Sequence, residues 1–449
     1  MKTISLKKGF DIPLIGEAKG EPEKINVGSY AMQPGNFIGM SPIPKIVVAV
    51  GEKVKAGDPL FFDKKRPEIF YVAPVSGTIS DIRRGEKRSI REVTITPDDT
   101  MTYREFPAFD FENAERGELV NYLLKSGVWA LMRQRPFDIV PEPSVIPKNI
   151  FISTFDTAPL APDNDIFVKG REDDFQTGLE VLRRLTEGKV HLGLDGNKGS
   201  VAAAFLDAKG VEKTYFKGPH PAGNVGVQIH HTAPIDANHP VWVMCVQNVI
   251  TIGALFNKRR YDAGRIVALT GAELENPKYV KTYIGASIGD LLKGNLDRDN
   301  VRIISGDVLS GRQKGKHGFL NICDNQVTVI EEGNDYELFG WLIPSKRLPT
   351  VSRTFFNFLL PKKKFNANTN VHGDKRAFVM TGQFEDVLPM DILPQHLFKS
   401  ILIEDYELME GLGIYELTEE DVALCEFVDT SKQPIQQILR QGLTMMMEG

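Results

Sequence analysis

VGEKVKAGDPLFFDKKRPEIFYVAPVSGTISDIRRGEKRS, residues 50–89, decides the fold of the N-terminal part of the chain. The stretch consists of a turn of the form G-E-x-V-K-A-G-x-x-L, a hairpin, and then A-P-x-x-G-x-I. We expect Gly51, Gly57 and Gly77 to supply the positive φ angles that tight turns need, while Pro74 presets its own φ. The pattern therefore predicts a small domain of short strands joined by tight turns.

The same stretch resembles domains that carry a lipoyl or biotinyl group on a lysine at an exposed hairpin turn. In this pattern the turn falls at Arg66, and Lys64 and Lys65 come one or two places early. The charged run that begins at Asp63 replaces the apolar flanks typical of such a site. We therefore predict a biotinyl- or lipoyl-like barrel-sandwich domain over residues 1–101. Its hairpin tip is expected to form a basic contact surface without a modified lysine.

The composition of the chain excludes some classes of function. The chain has 449 residues, 42% hydrophobic and 25% charged, with a formal net charge of −5, as expected for a globular protein with several domains. A mildly acidic chain lacks the basic footprint of a nucleic-acid-binding protein, so we predict no nucleic-acid partner. Cys245, Cys323 and Cys425 are far apart and odd in number, which argues against a disulfide framework and fits a reducing compartment.

No stretch predicts a transmembrane helix. The most apolar run, residues 241–256, contains Gln247 and Asn248 and is shorter than the roughly 20 residues that a spanning helix needs. The N-terminus has no apolar stretch typical of a signal peptide. We therefore expect a location in the cytoplasm.

Residues 102–257 predict a Rossmann-like α/β domain. Leu119, Tyr122 and Leu123 recur at helical spacing, and further helical and strand patterns alternate after them. Such alternation indicates parallel strands with helices packed on the sheet. Two glycine-containing loops, residues 126–137 and 218–226, lack the G-x-G-x-x-G pattern, so they are weak indications of a phosphate site.

The rest of the chain divides into three segments. Residues 258–335 alternate strand patterns with a short helix, which predicts a β-grasp module of the SLBB type. Residues 336–376 connect this module to a C-terminal helical domain at residues 377–449. In that domain Thr418 begins a capping-box pattern and Pro434 opens the last helix. The whole chain is thus predicted to be an α+β multidomain protein.

Several phrases spread over the chain carry a resemblance to a known family. They are KKGFDIPLIG (7–16), APVSGTI (73–79), SGVWALMRQRPF (126–137), GPHPAG (218–223), RIISGDVLSG (302–311) and ELFGW (337–341). With the order of domains, they resemble the A subunit of the Na+-translocating NADH:quinone oxidoreductase (Na+-NQR). More distant likenesses are the Rnf-type electron-transport subunit and the flavin-bearing NADH-oxidising subunit of respiratory complex I. Those relatives bind FMN, NADH and iron–sulfur clusters.

The resemblance predicts that this chain has lost those cofactor sites. Trp129, Met132 and Arg133 stand where the relatives have a glycine-rich flavin loop, and we interpret the arginines nearby as surface salt bridges and packing. In the region of the cysteine runs only Cys425 remains, whereas a four-iron cluster needs four thiolates. We expect Cys425 to be buried. The expectation is therefore no flavin, no NADH site, no iron–sulfur cluster and no catalytic residue in this chain.

Histidines could replace cysteines as metal ligands. His220, His230, His231 and His239 lie close together in sequence near Asp236. In an extended segment, however, the adjacent His230 and His231 would point to opposite faces, and the spacing matches no standard zinc pattern. We therefore predict no metal site.

The segment RTFFNFLLPKKKF, residues 353–365, allows two interpretations. It is either a core helix followed by a solvated basic turn, or a segment that docks on a membrane-embedded partner. We predict docking, because so many adjacent apolar side chains cannot share one helix face. The predicted docking residues are Phe355, Phe356, Phe358, Lys362, Lys363 and Lys364.

The resemblance implies a peripheral subunit of a six-subunit complex on the cytoplasmic side of the bacterial inner membrane. That complex transfers electrons from NADH to a ubiquinone-type quinone, exports Na+, and holds its flavins and iron–sulfur clusters in sister subunits. This chain is expected to contact the membrane subunit on the quinone side, with the quinone nearby. Two alternatives stay open: a divergent Rnf-type subunit, and a stand-alone carrier or nucleotide-binding protein.

Overall fold

The computed structural model describes residues 2–236, 238–335, 347–351 and 363–449. The strands are β1 Lys2–Ser5, β2 Lys19–Lys24, β3 Tyr30–Met32, β4 Lys45–Ile46, β5 Lys53–Val54, β6 Pro59–Asp63, β7 Arg66–Val72, β8 Gly77–Arg84, β9 Ile90–Pro97, β10 Arg133–Arg135, β11 Ile150–Ser153, β12 Val190–Asp195, β13 Glu212–Lys217, β14 Val241–Cys245, β15 Gly264–Thr270, β16 Lys278–Tyr283, β17 Val301–Ser305, β18 Arg312–Lys314 and β19 Gln326–Glu331.

The α-helices are α1 Arg116–Ser126, α2 Asn164–Val168, α3 Glu172–Arg183, α4 Ala203–Leu206, α5 Val225–Thr232, α6 Val246–Lys258, α7 Ile288–Leu292, α8 Gln383–Val387, α9 Pro394–Leu402, α10 Tyr406–Gly411, α11 Glu419–Val428 and α12 Ile435–Glu448. None of the helices in these described ranges is long and apolar enough to cross a membrane. The apolar run at residues 241–256 is divided between β14 and α6.

The N-terminal barrel-sandwich consists of two small sheets, with strand orders β3-β9-β8-β5 and β4-β6-β7. Gly51 and Gly57 have φ values of 89° and 94°, as their turns require. Gly77 is different, because it lies in β8 and has no positive φ. A Cβ on Gly77 would lie 2.0 Å from the Thr96 carbonyl oxygen, so close backbone packing requires this glycine.

The α/β domain is built on a sheet with the order β1-β13-β12-β11-β14-β10. Its neighbours are parallel except for β10, which pairs antiparallel with β14. Leu119 and Leu123 of α1 are buried, so the predicted apolar face is confirmed, and Leu179 and Leu182 of α3 are buried as well. The parallel sheet directs the carboxyl ends of β11 and β14 to one edge.

The third domain contains a mixed sheet with the order β18-β17-β19-β15-β16-β2 and the short helix α7. Strand pairing also shows where the first 24 residues lie. β1 pairs with β13 of the α/β domain, and β2 pairs with β16 of the third domain. Residues 2–5 and 19–24 therefore extend the sheets of the two other domains rather than the barrel sheets.

The C-terminal helices α8–α12 enclose a separate apolar core that includes Phe384, Phe398 and Leu439. Leu6, Leu14 and Val227 join this core from the N-terminal segment and from α5. The capping box of α11 forms as predicted, with the Thr418 side chain and Asp421 bonding reciprocally. The helical domain is thus packed against the N-terminal segment and α5, close to the carboxyl edge of the parallel sheet.

Candidate functional site

A cavity of about 830 Å³ opens where the α/β domain, the third domain and the C-terminal helices meet. Ser153 and Cys245, at the carboxyl ends of β11 and β14, line one side of it. In open α/β sheets this edge is where ligands bind. The cavity is therefore the concave site that the fold itself favours, and polar side chains line much of it. These include Asp156, His220, Asn224, Asp307, Asp324 and Glu420.

Residues 127–137, which correspond to the flavin loop of the relatives, lie beside this cavity. Their own side chains fill the space there. Trp129 and Met132 are fully buried. The Trp129 indole nitrogen donates to the Pro141 carbonyl oxygen at 2.8 Å, and its ring packs edge-to-face on Trp242 with centroids 5.2 Å apart. Large side chains therefore occupy the interior at this segment.

Arg133 is buried within the same segment. Its Nη1 donates to the carbonyl oxygens of Ala130 and Met132 at 2.9 and 3.0 Å. Its Nη2 contacts Cys323 Sγ at 3.5 Å, and the guanidinium lies 5.5 Å from the Phe37 ring centroid. Arg133 thus connects three domains and directs its donors inside the protein rather than to a phosphate.

Arg135 forms a buried ion pair with the C-terminal domain. Its Nη1 donates to Asp421 Oδ2 at 2.7 Å, and its Nη2 reaches Glu420. The side chains of Arg135 and Asp421 are 2% and 0% exposed, so the expectation of a surface salt bridge was wrong. The physical reason is that the partner carboxylates lie on α11, 286 residues away in sequence, where local patterns carry no information.

Gly226 makes this pairing geometrically feasible. A Cβ at that position would lie 2.3 Å from Arg135 Nη1 and 2.4 Å from both carboxylate oxygens of Asp421. The ion pair therefore packs directly on the backbone of α5. Asn224, at the N-cap of α5, also donates to the Glu420 carbonyl oxygen at 3.0 Å. Strand β10 and helices α5 and α11 are held together at this point.

Four carboxyl groups that line the cavity, those of Asp138, Asp156, Asp324 and Glu420, have raised pKa values. Asp156 and Glu420 both touch solvent within the cavity, but the surrounding protein disfavours their charged forms. This desolvation raises the pKa of Asp156 to about 6 and that of Glu420 to about 8, although Arg135 acts in the opposite direction on Glu420. Sequence reasoning missed both residues. The position of Asp156, just after the strand β11, is the one signal that could have identified it.

The histidines do not converge. His230 and His231 lie on the helix α5, where Val227 and Ile229 are buried, so the argument that assumed an extended segment does not apply. His230 Nδ1 contacts Glu416 Oε2 at 2.8 Å, and His231 Nε2 contacts the Pro389 carbonyl oxygen at 2.7 Å. Both rings therefore bond to the C-terminal domain. Within the described ranges, no group of three or more His, Cys, Asp or Glu residues is placed to hold a metal ion.

The cysteines lie in two environments. Cys425 is 1% exposed within the core of the helical domain, which confirms the expectation that it is buried. Burial raises the pKa of its thiol, so it stays protonated and unreactive. Cys245 and Cys323 line the cavity instead, a position that their spacing in sequence did not predict.

The hairpin turn of the barrel lies one or two residues before the predicted position at Arg66. β6 ends at Asp63 and β7 begins at Arg66, so Lys64 and Lys65 form the turn and both are exposed. Asp63 is buried and its Oδ1 accepts a hydrogen bond from the Lys65 backbone at 3.0 Å, which fixes this turn. Arg66 instead donates to the Val140 carbonyl oxygen at 2.8 Å in the neighbouring domain.

Most of the predicted docking residues lie outside the described part of the chain. This applies to Phe355, Phe356, Phe358 and Lys362. Lys363 lies 4.7 Å from the centroid of the Phe365 ring, and Lys364 pairs with Glu17 at 3.1 Å. These two lysines thus have partners within the chain, and Lys364 and Glu17 are both more than half exposed.

Matches to known proteins together span nearly the whole chain. Residues 4–98 match the family described as "NqrA N-terminal barrel-sandwich hybrid domain", residues 114–261 match "NqrA second alpha/beta domain", and residues 266–315 match "NQRA C-terminal domain". A solved NAD+-reducing [NiFe]-hydrogenase in the air-oxidized state gives a TM-score of 0.40 with 11% identity, over 78% of this chain and 67% of that one. This likeness is too weak to support a conclusion.

Two curated relatives are named as the A subunit of the Na(+)-translocating NADH-quinone reductase. The protein from Rhodopirellula baltica is 38% identical over 446 residues, which cover 98% of this chain and 97% of the relative. The protein from Yersinia pestis (biovar Antiqua) is 38% identical over 449 residues, which cover 99% of each chain. The chain therefore belongs to the NqrA family, the A subunits of Na+-translocating NADH-quinone reductases.

Proposed function

We propose that this chain serves as the A subunit of a Na+-translocating NADH:quinone reductase. Such a complex passes electrons from NADH to a ubiquinone-type quinone and couples this transfer to Na+ export. The observation that carries the proposal is the 38% identity to relatives of that name along 98% of the chain. We further propose that the chain has no catalytic centre of its own.

The packing of residues 127–137 supports the absence of a flavin. A flavin ring requires backbone and small residues close to its face, whereas Trp129 and Met132 fill the interior here. The three cysteines of the sequence support the absence of an iron–sulfur cluster, because four thiolates are needed for one. Flavins and clusters would then lie in sister subunits.

The absorbance spectrum and the iron content of the purified chain test the proposed absence of cofactors. The purified chain is expected to be colourless, with neither flavin absorbance nor iron by elemental analysis. An iron- or flavin-containing chain purified under anaerobic, reducing conditions would instead favour the divergent Rnf-type subunit. Binding of either cofactor in a one-to-one ratio would contradict the proposal.

The position in the complex forms the second part of the proposal. We place the chain peripherally on the cytoplasmic face of the inner membrane, docked on the membrane-embedded subunit near the quinone. The apolar sequence that contains Phe355, Phe356 and Phe358, followed by the lysines at 362–364, has the composition that such docking requires. Burying one phenylalanine against a partner contributes about 1.5–3 kcal/mol.

Substitutions in this segment separate docking from folding. We expect Phe356→Asp or Phe358→Asp to reduce assembly with the membrane subunit more than it lowers the Tm of the isolated chain. Changing Lys362, Lys363 and Lys364 to Glu should weaken assembly in a salt-dependent way. If the phenylalanine changes unfold the isolated chain and the lysine changes leave assembly intact, the segment belongs to the core.

One observation favours a second candidate function. The two-residue turn at Lys64 and Lys65 is exposed, as a carrier lysine must be. The intact mass of the native chain tests this alternative. An added lipoyl or biotinyl mass that disappears in Lys64→Arg/Lys65→Arg would establish a carrier, whereas the unmodified mass would leave only the contact role of this tip.

A further inference from the structure

The corner between α9 and α10 exposes four large apolar side chains within seven consecutive residues. Leu402, Ile403, Tyr406 and Leu408 are 53%, 70%, 46% and 49% exposed. Single exposed apolar residues are ordinary on protein surfaces, but such a group on one short corner indicates an interaction surface. We name residues 402–410 the α9–α10 corner.

The α9–α10 corner is also strongly acidic. Glu404, Glu407 and Glu410 are exposed among the apolar side chains, and within the described ranges no ion pair involves them. In the sequence no lysine or arginine lies between Ser400 and Ser431. The corner therefore contains no basic residue, and Lys399, which precedes it, lies 5.7 Å from the centroid of the Phe378 ring.

The backbone of the α9–α10 corner is fixed. The Ile403 and Asp405 amides donate to the carbonyl oxygens of Lys399 and Ser400 at 3.2 and 3.0 Å. Asp405 caps α10 by accepting from the Leu408 amide at 3.0 Å. Met409 is fully buried below the corner. A partner would thus meet a preformed surface, which lowers the entropic cost of binding.

We propose that the α9–α10 corner binds a basic, amphipathic segment of a membrane-embedded subunit where that segment leaves the bilayer. This inference rests on the proposed function and names the chemistry of the contact. Apolar side chains of the partner would cover Leu402, Ile403 and Leu408, while its lysines or arginines would meet the three glutamates. Segments of bacterial membrane proteins on the cytoplasmic side are rich in these cations.

The negative charge of the α9–α10 corner excludes two other binding partners. The cytoplasmic membrane surface is anionic, so a bare lipid bilayer repels Glu404, Glu407 and Glu410. A second copy of the same corner would bring like charges together. A cationic protein segment is the occupant that satisfies both the apolar and the acidic features.

The decisive experiment co-expresses the chain with its sister subunits, captures the complex through a tag on a membrane-embedded subunit in mild detergent, and measures the recovery of this chain. Glu404→Lys/Glu407→Lys/Glu410→Lys should lower recovery about tenfold at low salt, and the difference from the unmodified chain should shrink as salt rises. Ile403→Ser/Leu408→Ser should lower recovery at every salt concentration. Neither variant should change the Tm of the isolated chain by more than a few degrees.

Matched controls use exposed residues elsewhere. Glu68→Lys/Asp99→Lys/Asp297→Lys reverses three exposed acidic residues, and Ile43→Ser/Val50→Ser removes two exposed apolar side chains from the barrel. Both controls should be recovered like the unmodified chain. If the corner variants are also recovered fully, the inference is wrong while the proposed function stands.

A second assay separates failure of the corner from failure of the proposed function. A fluorescent, helical Leu/Lys peptide should bind the purified chain and lose most of its affinity for the glutamate-to-lysine variant. If the peptide binds the corner but no membrane subunit captures the chain, the assigned partner and the proposed function are both wrong. Corner-dependent sedimentation with phosphatidylglycerol vesicles, or corner-dependent dimerisation, would assign a lipid surface or a second copy instead and overturn the proposal.

Discussion

The two faces of the C-terminal helical domain differ in how they use charge. On the inner face, Asp421 is buried and paired with Arg135 of the α/β domain, and Arg440 pairs with Glu419. On the outer face, Glu404 and Glu407 are exposed beside apolar side chains. A buried charge must have its partner within the chain, because leaving it unpaired is very unfavourable. An unpaired acidic group on an apolar surface can instead find its partner on another molecule.

The strongest test of this difference removes the charge of the inner face. Arg135→Met leaves Asp421 buried without its cation, so we expect the free energy of unfolding to fall by about 3–5 kcal/mol. Denaturant unfolding followed by circular dichroism measures the change. Arg83→Met is the matched control, since it removes a 56% exposed arginine that pairs with the partly buried Glu92, and it should cost less than Arg135→Met. Equal losses for the two variants would show that burial gives the inner pair no special role.

A second test adds volume to the same interface. Gly226→Ala places a methyl group against Arg135 and Asp421, and overpacking of this kind costs about 1–3 kcal/mol. Gly117→Ala, in α1, has no atom within 4 Å of the new methyl group and should be neutral or slightly stabilising. Thermal melts of both variants provide the measurement. If Gly226→Ala leaves the Tm unchanged, the α/β domain and the helical domain separate easily at this point.

In the isolated chain, substitutions on the outer face should have little effect on stability. Reversing Glu404, Glu407 and Glu410 to lysine breaks no described contact, so we expect the free energy of unfolding to change by less than about 1 kcal/mol. The same denaturant titration used for Arg135→Met measures it. A large loss here would show that these glutamates stabilise the fold and would remove the contrast between the faces.

The last test concerns pH, and the access of solvent to Asp156 keeps its effect on stability small. Because burial in the cavity raises the pKa of Asp156 to about 6, this group binds a proton more tightly in the folded than in the unfolded chain. Its ionisation therefore destabilises the fold as the pH rises from about 4 to 6, and the penalty is constant above that range. Asp156→Asn should gain stability relative to the unmodified chain over this interval. Melts at several pH values test this, and parallel curves would contradict it.

Local patterns in the sequence identified several elements well. The turn glycines Gly51 and Gly57 mark the barrel, Pro434 immediately precedes α12, and the capping box at Thr418 begins α11. Each of these depends on the backbone of a few neighbouring residues, which sequence reports directly. The bounds proposed for the domains remain predictions.

Features that depend on distant partners could not be predicted. β1 and β2 are short and largely exposed, so no apolar alternation marks the sheets that they join. The burial of Arg135 depends on carboxylates 286 residues away, and the Lys64–Lys65 turn depends on a buried aspartate. The cavity is lined by residues of four domains, so its residues come together only after all of them have folded.

The pairing of β1 and β2 has a consequence for synthesis of the chain. β1 and β2 leave the ribosome before their partners β13 and β16, which follow about 210 and 260 residues later. The barrel can fold in between, whereas β1 and β2 stay unpaired until the second and third domains emerge. A fragment that begins after the barrel would lack both edge strands, and its exposed edges would favour aggregation. An attempt to express the α/β domain alone should therefore retain residues 2–5, for example by fusing them ahead of residue 102 through a flexible linker.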